Sequence, residues 1–216
     1  MIKPHGSDEL TPLFVYDQSK HHELQKEAEG LPSIIINSAA AGNAVMLGGG
    51  YYTPLTGFMN VADTMGVAEK MQMTNGLFWP TPVINLNKNV DAIKDAKRIA
   101  LRDPNVDGNP VLAIQDVEAI ETLTDAQIDV ITEKVYGTLD PEHPGVATFR
   151  DSGNIVVSGP IQVLSFSYFQ TEFPDTFRTA VEIRNEIKEH GWNKIVAFQT
   201  RNPMHMSHEF LAKIAL

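Results

Sequence analysis

The string Val196-Ala-Phe-Gln-Thr-Arg-Asn-Pro-Met-His-Met-Ser-His-Glu209 leaves the backbone few choices. Lys194 to Phe198 is an apolar, β-branched run of strand length. Asn202 is a good N-cap and Pro203 suits the first helical position, so the expectation is a strand, a turn and a helix. Gln199, Arg201, His205 and His208 gather at that junction. A helix N-terminus presents unpaired N–H groups and the positive end of a dipole, which favours phosphate or sulfate. Arg201 adds a fixed fork of donors for a tetrahedral anion and Gln199 a neutral donor, while His205 and His208, three residues apart, share one helix face. Two anions side by side would fit this set. Taken alone, such a histidine pair is more often a surface or satisfied core pair, and a zinc site has little support because no cysteine exists and Glu209 is adjacent to His208.

The whole string decides more than the pair. Gln199-Thr200-Arg201-Asn202-Pro203 followed by His205-x-x-His208 resembles the signature of the ATP sulfurylase (sulfate adenylyltransferase) family, relatives of nucleotidyltransferases that carry a His-x-x-His phosphate motif. Met206 departs from the pattern, since a basic Arg is common there. The resemblance extends to Gly48 through Met59, Trp79 through Leu86, His143-Pro-Gly-Val146, Gly159-Pro-Ile161 and the run from Arg184 to Trp192. Family members continue past the position of Leu216 through further nucleotide contacts, so a leading fragment is expected.

The resemblance implies a mixed α+β chain: a PUA-like β-barrel domain over residues 1–173, then the beginning of an α/β, Rossmann-like nucleotidyltransferase domain over 174–216. It implies a reversible reaction of MgATP with sulfate to give adenylyl sulfate and pyrophosphate. Carried over residue by residue, Gln199 and Arg201 hold sulfate, Thr200, Arg201 and Asn202 act on the pentavalent phosphorus, and His205 and His208 join these four in binding ATP. Mg²⁺ arrives with ATP, and a homo-oligomer follows from resemblance only. Sulfate is fully ionised at neutral pH, so its attack needs no general base, and the string contains no carboxylate before Glu209. Two other classes stand beside this reading: a catalytically silent scaffold fragment, and an RNA-binding module of the PUA type.

Charge weighs against the second of these. The 216 residues carry a formal net charge of −10, and backbone binding to nucleic acid demands a basic surface. No apolar run reaches bilayer length and Met1 to Glu9 lacks the core of a signal peptide, so no membrane partner and a cytoplasmic location are expected. Anionic substrates must be drawn by local charge at Arg201 and the helix end.

Earlier in the chain, Ser19 to Glu29 reads as a capped polar helix, with His21 and His22 on its surface, and Ser33 to Asn37 as a strand. Ala39 to Gly50 is glycine-rich but lacks the Lys-Ser/Thr of a Walker loop, so its glycines are assigned to turns and close packing. Asn60 caps a helix from Val61 to about Met71 with Met65, Ala68 and Met71 at core spacing. Phe78 to Leu86 reads as a proline-punctuated strand and Val111 to Asp116 as another. Thr124-Asp-Ala-Gln127 is a capping box for a helix with Ile128, Ile131 and Val135 inward and Gly137 as its stop. His143 falls in a loop. Ile155 to Gly159 and Ile161 to Phe166 read as two strands, and Asp175 or Thr176 caps a helix that presents Ala180, Ile183 and Ile187 and ends at Gly191.

Overall fold

Five helices begin on a side chain that accepts a backbone N–H of their own first turn, which satisfies a donor that has no partner within the helix. In a computed structural model, describing residues 2–200 and 202–215, they are α1 (Gln18–Gly30, capped by Asp17), α2 (Ser38–Gly48, Asn37), α3 (Val61–Lys70, Asn60), α4 (Asp125–Tyr136, Thr124) and α5 (Pro144–Asp151, His143). Thr124 and Gln127 form the reciprocal capping box expected of them, and Gly137 closes α4 at φ 72°. Among them run β1 (Ser33–Ile35), β2 (Gly57–Phe58), β3 (Leu86–Asn87), β4 (Arg98–Arg102), β5 (Val111–Asp116), β6 (Ala119–Thr122) and β7 (Ile155–Val163), followed by the short α6 (Phe169–Glu172). The fold is mixed α and β, as expected. No helix among the described residues is long and apolar enough to cross a membrane.

Strand β7 is the element the sheet curls around. The expected pair of strands is one strand bent at Gly159, which takes φ 132°. Its first half pairs antiparallel with β3 and β6, and its second half with β5, while β2 meets Gly159 and Pro160 at the bend. From β5 the sheet continues antiparallel to β4 and then parallel to β1. The bend needs glycine for a second reason. A Cβ there would lie 2.1 Å from the Asp116 carbonyl oxygen, inside any tolerable contact.

Helices cover both faces of the β4–β5 limb. Leu24 and Ala28 of α1, one turn apart, bury themselves with Ala100, Ile114 and Leu164. The alternate residues Ile99 and Leu101 of β4 and Ala113 of β5 join the main core with α2, α3 and α4, as the two-residue period of a strand requires. Helix α2 corrects the reading of residues 39–50 as turns. Its Ala40, Ala41, Ala44, Val45 and Leu47 are buried, and alanine is the strongest helix former. The expectation of close packing holds at Gly48, where a Cβ would meet Val163 Cγ1 at 2.8 Å.

Other differences have local causes. In α3 the buried residues are Thr64 and Val67, Met65 and Ala68 flank them, and Met71 is the left-handed cap at φ 53°, 53% exposed. Only Leu86 of the Phe78–Leu86 run is in a strand, since Pro80 and Pro82 cannot donate to a ladder. His143 is not in a plain loop. Its Nδ1 accepts the Val146 N–H at 3.4 Å and starts α5. His21 is half-buried against Phe14, with Nε2 2.8 Å from the Leu164 carbonyl oxygen, so it ties α1 to the end of the β7 segment. A buried amide network of Asn85, Asn87 and Gln115 crosses the core, and Gln115 Nε2 donates to the Val157 carbonyl at 3.1 Å.

The chain divides into two compact units between Val181 and Glu182. Helix α7 (Ala180–Glu189) spans that point. It begins five residues after the earlier of the two expected caps, Asp175, and buries none of its residues. Gly191 follows it at φ 67°, the left-handed stop expected there.

Candidate active site

Residues 193–200 run without regular structure into a turn, and α8 (Met206–Ala215) follows. The expected strand at Lys194–Phe198 does not form: no strand pairs with it among the described residues, and Ile195 and Val196 are 52% and 66% exposed. A strand has no hydrogen bonds of its own without a neighbour. The helix also starts later than Asn202 and Pro203 predict. Thr200 takes up Asn202 instead, because its Oγ1 accepts the Asn202 N–H at 3.1 Å and donates to the Asn202 carbonyl at 3.2 Å, a local turn of the kind Thr forms in competition with helix.

His205 occupies the capping position. Its carbonyl oxygen accepts the N–H groups of His208 at 2.9 Å and Glu209 at 3.1 Å. Its own N–H donates to Nδ1 of His208 at 3.3 Å, so His208 stands where Glu or Gln completes a capping box. The His205 Nδ1 lies 2.7 Å from Ser207 Oγ. The two imidazole rings are 3.9 Å apart between centroids and Phe198 meets the His208 ring edge-on at 5.7 Å.

Chemically, the start of α8 offers donors to an anion. A nitrogen that accepts a hydrogen bond has no proton, so the neutral His208 ring carries its proton on Nε2, opposite the helix. Added to the free N–H groups and the dipole of the first turn, this is a cradle for phosphate or sulfate oxygens. Among the described residues no three His, Cys, Asp or Glu side chains gather to hold a metal ion. Gln199, His205 and Asn202 are exposed and Thr200 and His208 half-buried; Arg201 lies outside the described residues.

Comparison with known proteins sets this geometry in a family. Residues 2–166 match the family model of the PUA-like domain. The chain belongs to the PUA-like domain family. Beyond that domain, residues 174–216 match the ATP-sulfurylase family model, and the resemblance to ATP sulfurylase holds over the whole sequence. The chain is 65% identical over 216 residues to the sulfate adenylyltransferase of Allochromatium vinosum, covering 100% of this chain and 54% of that one. It is 63% identical to the sulfate adenylyltransferase of the Riftia pachyptila sulfur-oxidizing endosymbiont, covering 100% and 49%. It therefore spans about half the length of the curated relatives it matches. Its structure is similar to a hexameric APS kinase from Thiobacillus denitrificans, with a TM-score of 0.73 and 27% identity over 100% of this chain and 37% of that one.

The PUA-like domain has concavities of its own. One of about 570 Å³ lies beside the start of α2 and is lined by Ile34 to Ala39, Leu86 to Asn89 and residues of α5. A second of about 230 Å³ shares Asn37, Leu86 and Thr148 with it and reaches Tyr136. Neither is lined by any described residue of the Gln199–His208 string. Sequence reasoning passed over Ser207 and Phe198, which touch the two histidines. The signal for Ser207 was present, since a serine between two histidines near a helix start can reach either ring.

Proposed function

We propose that the complete protein is a sulfate adenylyltransferase. A sulfate oxygen attacks the α-phosphorus of ATP, the bond from that phosphorus to the bridging oxygen of pyrophosphate breaks, and adenylyl sulfate and pyrophosphate result. The observation that carries this reading is the pair of adjacent imidazoles at the start of α8, reached directly from the Thr200–Asn202 turn. It supports the placing of His205 and His208 on the ATP phosphates.

The remaining roles follow the order of the string. Gln199 and Arg201 hold sulfate, and Thr200, Arg201 and Asn202 stabilise the charge that develops at the α-phosphorus, together with the ATP contacts they share. No general base is needed, so the rate comes from aligning two anions that repel each other and from donors aimed at the transition state. The string supplies donors and no carboxylate ahead of Glu209, which fits a polyphosphate better than a bare cation; Mg²⁺ would be held by the ATP oxygens. Magnesium arriving with ATP would supply charge neutralisation for the leaving pyrophosphate. A homo-oligomer is the assembly this reading favours, in line with the hexameric state named for the structural relative.

The test is ATP formation from adenylyl sulfate and pyrophosphate, run on a chain of the relatives' full length beside the 216-residue chain. ATP made by the longer chain and dependent on both substrates supports the proposal. A well-folded longer chain that makes none refutes it.

A further inference from the structure

Ser207 holds no role in the reaction proposed above, yet its hydroxyl reaches the ring of His205. Its Oγ lies 2.7 Å from the His205 Nδ1, at the second residue of α8. The direction of that bond follows from the helix. The first turn of α8 aims N–H groups and the positive dipole end at the ring, so the nitrogen facing it is favoured as a lone pair. Ser207 donates, and the proton of neutral His205 goes to Nε2, because the hydrogen bond at one ring nitrogen sets the tautomer at the other.

His208 reaches the same state by a different route, since its Nδ1 accepts the His205 backbone N–H. In both rings Nε2 is then the nitrogen that the helix start leaves unengaged among the described residues. They stand 3.9 Å apart and tilted by 48°, a matched pair of neutral donors. We propose that Ser207 is a positioning residue that fixes the tautomer and orientation of His205, so that the two imidazoles present paired N–H donors to the phosphoryl oxygens of a polyphosphate. This rests on the reading of the reaction given above. The backbone bond orients His208 without help from any side chain but its own. Among the described residues no backbone N–H does this for the His205 ring, and the serine takes that place.

The experiment compares Ser207→Ala and Ser207→Thr with wild type in a chain of the relatives' full length. Alanine is well tolerated in a helix, so a purely structural role leaves the readouts unmoved. Two readouts are taken: KM for pyrophosphate and kcat in ATP formation, and ¹⁵N spectra of the labelled histidines with and without pyrophosphate. Loss of one neutral hydrogen bond predicts a KM about fivefold higher in Ser207→Ala, with kcat little changed. The His205 Nδ1 signal shifts from an accepting to a free nitrogen, and Ser207→Thr restores both. A wild-type KM in the alanine variant overturns the proposal, as does a His205 signal that ignores the substitution. Failure of the reaction reading looks different: wild-type protein makes no ATP, and the histidine spectra with pyrophosphate as the probe then decide the positioning role alone.

Discussion

The backbone N–H of His205 donates to Nδ1 of His208, 3.3 Å away, while their rings lie 3.9 Å apart. One contact thus begins the helix and aims the side chain. His208→Glu keeps an acceptor for that N–H, as in an ordinary capping box, but its carboxylate has no outward donor. Its helix content by circular dichroism should match wild type, while kcat/KM for ATP formation falls about a hundredfold, the scale of one lost donor in a pre-set site. His208→Ala should lose both activity and about 1 kcal/mol of stability through the cap.

Arg201→Ala removes the one fixed cation of the string. A broken charge-assisted contact in a desolvated site costs about 2–5 kcal/mol. Steady-state kinetics in a full-length chain should show kcat/KM for adenylyl sulfate down by at least about thirtyfold. Unchanged kinetics would remove Arg201 from sulfate recognition.

Gly159→Ala should be among the most damaging changes in the PUA-like domain. The residue sits at φ 132°, and the new methyl would stand 2.1 Å from the Asp116 carbonyl oxygen. Backbone at this bend must move, with β5 and β2 pairing on either side of it. Urea denaturation should show a loss of about 3 kcal/mol or more.

Gln115→Ala strips the buried amide network of its link between Asn85 and the β7 backbone. The side-chain amide of Asn85 is left with one partner fewer in a site that excludes water, and a cavity opens. About 2–4 kcal/mol should be lost in the same denaturation measurement.

Burial raises the phenols of Tyr52 and Tyr136 above their usual value. Their contribution to stability is complete below about pH 10, where both folded and unfolded chains keep the proton. Above that the unfolded chain releases protons that the folded chain still holds, so stability falls as pH rises through the folded pKa values. Denaturation midpoints between pH 9 and pH 11, about the window of a phenol, should drop in wild type and drop less in a Tyr52→Phe, Tyr136→Phe double variant.

What could be read from the sequence was whatever depends on near neighbours. Asn60, Thr124 with Gln127, Gly137 and Gly191 act through bonds or dihedrals within a few residues, and each does what its type predicts. The string Gln199 to His208 pointed to its family for the same reason: donor types at short spacing are legible without a fold. Caps were also the limit of that approach. Asn202 looked like the start of α8, but Thr200 engages it first, and His205 takes the position.

Elements that depend on distant partners were decided by tertiary structure. Ala39 to Gly50 read as turns and close packing because its glycines draw the eye, and most of it is helix α2, whose Ala40, Ala41, Ala44, Val45 and Leu47 are buried in the core while Gly48 fits against Val163. Ile155 to Val163 looked like two strands because Gly159-Pro160 reads as a break. It is one, because β2, β3, β5 and β6 all take their hydrogen bonds from it. Lys194 to Phe198 has the composition of a strand and, among the described residues, no strand beside it. Sequence alone determined where helices are capped and which chemistry the string can offer; only the packed structure decided which apolar runs become strands, because a strand's hydrogen bonds belong to its neighbours.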